Sequence, residues 1–155
     1  MPAAPPYVAV VGSGEATQRQ LDAALEVGRG LAMAGAIVVT GGLGGVMEAA
    51  SRGASAAGGL AVGLLPGTDR AAANQWVAIA IPTGLGELRN GLVVRSADAI
   101  VAIGGAYGTL SEVALALRTK VPVVGLQTWE IEGIEAVESP VVAVARAVAL
   151  ARRRA

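Results

Sequence analysis

The sequence predicts an α/β protein: a Rossmann-like, doubly wound, mostly parallel sheet flanked by helices on both faces. Short apolar runs at 7–11, 37–40, 60–65, 76–81, 99–103 and 121–126 alternate with stretches of helical spacing, the order expected of parallel strands joined by crossover helices. Three glycine-rich turns follow such strands: Gly12-Ser13-Gly14, Gly41-Gly42-Leu43-Gly44-Gly45 and Gly104-Gly105-Ala106-Tyr107-Gly108. The chain is 54% apolar and 15% charged, with no Phe. Small apolar side chains of this kind suit strands buried on both faces. Its 155 residues suit one domain over 1–155.

Each element has a local reason. Pro5-Pro6 ends the irregular start, and the β-branched run 7–11 makes a central strand. A helix over 17–34 carries Leu21, Leu25, Gly28 and Leu31 on one predicted face and closes at Gly35. Strand 37–40 enters the second glycine turn and a helix ending near Gly58. Strand 60–65 stops at Pro66-Gly67, and 68–75 lacks periodicity and reads as a loop bearing specificity. A strand over 76–81 precedes a helix over 86–96. Strand 99–103 leads to a helix opened by Thr109. Strand 121–126 is followed by an acidic segment with room for a short edge strand. Ser139 as N-cap and Pro140 at the first helical position start a last helix over 140–152, with Val141, Val144, Val148 and Ala151 on its stripe.

Composition excludes several chemistries. The chain has no Cys and no His, which removes disulfides, thiolate nucleophiles, imidazole bases and His/Cys zinc sites; no metal site is predicted. Twelve basic residues balance twelve acidic ones, so nucleic acid is not an expected partner. Arg152, Arg153 and Arg154 read as a solvated helix end. The uncharged run 30–47 is interrupted by glycines and reads as strand and turn rather than a membrane span. With no signal-like start, the expectation is a cytoplasmic protein.

The turns carry the chemistry. A strand–turn–helix junction leaves backbone N–H groups free beside the positive end of a helix dipole, a ready anion site. Gly12-Ser13-Gly14 resembles the start of a dinucleotide fingerprint, yet Thr17 holds the third glycine position and no acid ends the second strand, so a redox dinucleotide is not expected. Gly41, Gly42, Gly44 and Gly45 suggest close approach of backbone to a phosphate. Thr109-Leu110-Ser111-Glu112 fits a capping box, which competes with a ligand-directed role for Glu112. Arg89 is a natural bidentate partner for a phosphate or carboxylate.

Three stretches taken together, GGLGGVMEAASRGA, ELRNGLVVRSADAIVAIGGAYGTLSE and KVPVVGL, resemble the LOG-like family of Rossmann-type proteins, often labelled lysine decarboxylase-like. The resemblance implies a phosphoribohydrolase that cleaves the N-glycosidic bond of nucleoside 5′-monophosphates, with Arg89 and Glu112 catalytic. It matches Gly105, Gly108, Thr109 and Glu112 to the family's Pro-Gly-Gly-x-Gly-Thr-x-x-Glu turn. Asn90 replaces the family's lysine, Gly104 its proline and Ala106 its second glycine. The Arg-Asn step and the Gly-Gly-x-Tyr-Gly-Thr turn are similar to the branch containing molybdenum-cofactor carrier proteins. Two functions therefore fit: hydrolysis of a nucleoside 5′-monophosphate, or non-catalytic carriage of a phosphorylated cofactor such as molybdopterin. Either ligand would use Gly12, Ser13, Gly41, Gly42, Gly44, Gly45, Thr83, Asn90, Gly105, Tyr107, Gly108 and Thr109, with no further cofactor required. The family resemblance also implies a homodimer or higher homo-oligomer. Single-stranded DNA binding, as in related Rossmann-type recombination mediators, is disfavoured by the zero net charge.

Overall fold

A computed structural model describes residues 3–155. Strand β1 (Tyr7–Gly12) leads into α1 (Gln18–Met33), β2 (Ile37–Thr40) into α2 (Val46–Ala56), and β3 (Ala61–Leu65) through a loop with a 3-10 turn at Arg70–Ala72 into β4 (Ile79–Pro82). A second 3-10 turn, Gly86–Leu88, runs into α3 (Arg89–Arg95). Then follow β5 (Ala99–Ile103), α4 (Tyr107–Arg118), β6 (Val123–Leu126), β7 (Ile134–Ala136) and α5 (Pro140–Arg154). The seven strands form one sheet in the order β4-β3-β2-β1-β5-β6-β7, and every pairing is parallel. The acidic segment supplies β7 as an edge strand.

The pleat divides the core in two. Val8 and Val10 of β1 join Ala24, Val27 and Leu31 of α1, Ala50 and Ala54 of α2, and Ala143 and Ala147 of α5 on one face. Ala9 and Val11 join Val93 and Val94 of α3 and Val113 and Ala116 of α4 on the other. Chain order reverses between β1 and β5, so α1 and α4 leave the paired carboxyl ends of those strands toward opposite faces. That geometry opens a crevice at the switch point.

Several boundaries and faces differ from expectation. The fourth strand starts at Ile79 rather than at 76, because Asn74 turns the chain: its Oδ1 accepts from the Trp76 N–H at 3.0 Å and its carbonyl from the Val77 N–H at 3.2 Å. The buried face of α1 is Ala23, Ala24, Val27, Gly28 and Leu31, whereas Leu21 and Leu25 lie half-buried on its flank. Alanines dominate the buried side of α5, and Val141 is 75% exposed; small side chains let that helix lie close to α1 and the sheet. The helix expected over 86–96 is α-helical only over Arg89–Arg95.

The largest correction concerns α4. It begins at Tyr107, with Ala106 as an N-cap that offers no side-chain hydrogen bond. Thr109 is therefore inside the first turn and buried, so it cannot cap, and the expected Thr109–Glu112 capping box does not form. A capping box occurs instead at α1: the Gln20 N–H donates to Thr17 Oγ1 at 3.2 Å and the Thr17 N–H to Gln20 Oε1 at 3.0 Å. Among the described residues no helix is long and apolar enough to cross a membrane.

Candidate functional site

Arg89 opens α3 and is 8% exposed. Its Nη1 donates to the Gly41 carbonyl at 2.6 Å and to the Leu64 carbonyl at 2.8 Å. Both carbonyls lie at or beside the carboxyl ends of their strands, so the guanidinium ties those ends to α3. Nε is buried and has no hydrogen-bond partner. A buried, unpartnered N–H on a charged group costs free energy until something accepts from it.

Glu112, in the second turn of α4, is also 8% exposed. Burial pushes its carboxyl up to about 7, and the positive charge of Arg89 partly opposes that rise. Burial in turn lowers the Arg89 pKa, and Glu112 counteracts that shift. The two do not touch: among the described residues the ion pair within 4.0 Å is Arg146–Glu135. Opposite charges thus face one another across space rather than neutralising each other in a direct bridge.

That space is a cleft of about 270 Å³ lined by Gly12, Ser13, Gly14, Gly41, Met47, Arg89, Asn90, Ala106, Gly108, Thr109 and Glu112, floored by Val10 and Val11. The first α4 hydrogen bond runs from the Leu110 N–H to the Ala106 carbonyl at 3.0 Å. The N–H groups of Tyr107, Gly108 and Thr109 therefore precede the helical ladder at its positive end. Asn90 Nδ2 donates to Ser111 Oγ at 3.3 Å, and Ser111 Oγ to the Gly108 carbonyl at 2.6 Å, which fixes α3 against the start of α4. A neutral Asn performs this bridging where a lysine would add a cation. Gly108 itself has open space: a Cβ there would meet only Asn90 Nδ2, at 3.9 Å. The arrangement suits an anion held against backbone N–H groups, with a fixed cation on one wall and a titrating carboxyl on another.

Of the residues singled out from sequence, Gly12, Ser13, Gly41, Arg89, Asn90, Gly108, Thr109 and Glu112 come together here. Others lie apart. Thr83 Oγ1 donates to the Leu65 carbonyl at 2.7 Å beside the β3 end, Gly105 packs over the Thr109 side chain, and Tyr107 is 83% exposed. The glycines of the second turn mostly answer to the protein itself. A Cβ at Gly41 would overlap Arg89 Nη1, and Gly42 and Gly45 have positive φ with crowded surroundings. Only Gly44 of that turn is free of both constraints. Gly14, Met47 and Ala106 are cleft residues outside the sequence-derived set; the repeated glycine of Gly12-Ser13-Gly14 was the available signal for the first. Among the described residues no cluster of three or more acidic side chains is grouped as a metal site.

Comparison with known proteins places this arrangement. The profile of the SLOG cluster4 family matches residues 5–151. A protein of Archaeoglobus fulgidus is 41% identical over 134 residues, covering 86% of this chain and 88% of its own. Among solved structures, the molybdenum cofactor binding protein of the phototrophic bacterium Rippkaea orientalis is 39% identical, with a TM-score of 0.85 over 88% of this chain and 91% of its own. The Moco carrier protein of Chlamydomonas reinhardtii is 36% identical, with a TM-score of 0.88 over 97% and 99%.

Proposed function

The chain belongs to the SLOG cluster4 family, and from that premise we propose that it is a non-catalytic carrier of a phosphorylated cofactor of the molybdopterin type, held by its phosphate in the Arg89 cleft. The observation that carries this reading is the likeness to cofactor-binding structures at 36–39% identity over nine-tenths or more of their length. The donor set supports it. The orphaned Arg89 Nε, the uncapped start of α4 and the open space at Gly108 all suit a phosphate, and none requires a bond to be cut. Arg89 would orient the anion, Gly12, Ser13, Gly108 and Thr109 would bound it, and Glu112 would set its pH dependence.

Hydrolysis is the second reading, favoured by Glu112. Its carboxyl faces the cationic Arg89 across the cleft, where a carboxylate would stabilise an oxocarbenium-like transition state and guide water to the anomeric carbon. Water would supply the hydroxyl to the sugar and a proton to the departing base.

One experiment separates the two. The protein is incubated with AMP and isopentenyl-AMP while released base is followed by chromatography. In parallel, retention of molybdenum cofactor after gel filtration is read from pterin fluorescence. Retained cofactor without base release is the expected result, with retention lost in Gly108→Val. Base release abolished by Glu112→Ala and Arg89→Ala would replace carriage with catalysis.

The proposal extends to a homodimer. Leu85, Leu88 and Leu92 are 46%, 79% and 40% exposed around the start of α3, and Ile79 and Ile81 are 47% and 44% exposed on the edge strand β4. Exposed apolar side chains of this kind support an association surface there.

A further inference from the structure

A second recess, of about 580 Å³, adjoins the Arg89 cleft, and Gly14 lines both. A Cβ on Gly14 would meet nothing within 4 Å and its φ is not positive, so neither packing nor backbone conformation demands a glycine there. What the missing side chain leaves is open space at the one residue that borders both recesses. The Arg89 cleft alone, at about 270 Å³, falls below the usual range of small-molecule pockets, roughly 300–1,000 Å³. A ligand carrying more than a phosphorylated sugar needs a second compartment.

The walls of the recess suit a flat ring. Trp76 is half-buried, and the Arg52 guanidinium lies 5.8 Å from its ring centroid, a cation–π arrangement. The backbone beside Trp76 is pinned: Asn74 Nδ2 donates to the Leu43 carbonyl at 2.9 Å, and the Asn74 N–H to the Gly42 carbonyl at 2.9 Å. Leu21, off the buried face of α1, forms an apolar wall, and Glu48 and Asp22 bring carboxylates to the same space. Carboxylates in excess over Arg52 repel a second phosphate and accept from ring N–H groups. A third recess beside Trp129 shares no lining residue with the Arg89 cleft.

We propose that the Trp76 recess takes the heteroaromatic end of the ligand, a ring with adjacent imino and amino donors such as a guanine or pterin, stacked on Trp76 and read by Glu48. This inference rests on the reading that the Arg89 cleft holds the ligand's phosphate, and it assigns the ring a place that reading leaves open.

The chain has two tryptophans, so Trp129→Phe leaves Trp76 as the sole reporter of indole emission. GMP is expected to quench that protein and ribose 5-phosphate to leave it unchanged. By calorimetry, Trp76→Leu is expected to weaken GMP by about fivefold or more, the loss of one base–aromatic stack, with ribose 5-phosphate held within twofold. Glu48→Gln is expected to remove a preference for GMP over IMP, which lacks the amino group. Circular dichroism establishes that each variant is folded. Ribose 5-phosphate binding as tightly as GMP, quenching of Trp129 in place of Trp76, or an equal loss of both ligands in Trp76→Leu would overturn the ring site and leave the phosphate reading standing. Binding of neither probe would remove both.

Discussion

At the scale of single residues, Glu112 and Arg89 dominate because each is charged chemistry in a nearly closed place. The raised pKa of Glu112 has a definite consequence for stability. In the unfolded chain its carboxyl ionises at its ordinary acidic value, whereas in the fold it holds its proton until pH about 7. The folded state therefore binds the extra proton between those values, and stability falls as pH rises through that window. Glu112→Gln should be more stable than the parent at pH 8, by about 1–3 kcal/mol, and the gain should vanish near pH 4; denaturant titration at both values checks it. Arg89→Met should cost about 2–4 kcal/mol by leaving the Gly41 and Leu64 carbonyls without their donor. Thermal melting in the absence of ligand measures that cost separately from any loss of binding. The sequence singled out Arg89 as a candidate partner for a phosphate; its service as a strap between strand ends was not legible there, because residues 41, 64 and 89 meet only through the sheet.

At the scale of elements, the close approach of α1 and α2 sets two walls of the Trp76 recess. It depends on glycines in helix interiors, where they ordinarily weaken a helix. A Cβ on Gly28 would overlap the Ala50 carbonyl, and one on Gly53 the Leu25 carbonyl. Gly53→Val should accordingly destabilise the protein by about 1–3 kcal/mol or more through overpacking, seen as a lower denaturant midpoint. The start of α4 shows the limit of local reading. A capping box at 109–112 is a sound local inference, yet Thr109 is buried beneath Gly105 and the N-cap lies three residues earlier, at Ala106. The same shift leaves the Gly108 N–H in the cleft and turns Glu112 from a cap into a buried acid.

At the scale of the whole molecule, the doubly wound order puts the cleft where β1 and β5 part. The exposed Leu88 lies near that cleft, since it immediately precedes Arg89 at the start of α3. Leu88→Asp should convert a dimer to a monomer in light scattering coupled to gel filtration while leaving the fold's circular dichroism unchanged. An unchanged mass would move the association surface elsewhere on the molecule.

Strand and helix order, the parallel sheet, the glycine turns at strand ends and the candidacy of Arg89 and Glu112 were all determined by the sequence itself. They rest on periodicity, on residues with restricted backbone choices and on motifs in a fixed order. Tertiary structure alone decided which glycines serve packing and which leave room for a ligand, because that depends on what a Cβ would meet across the fold. It also decided that burial pushes the Glu112 carboxyl up to about 7 and that Trp76 and Gly14 line one recess. Burial and proximity between residues far apart in the chain are properties of the packed molecule, and no local pattern encodes them.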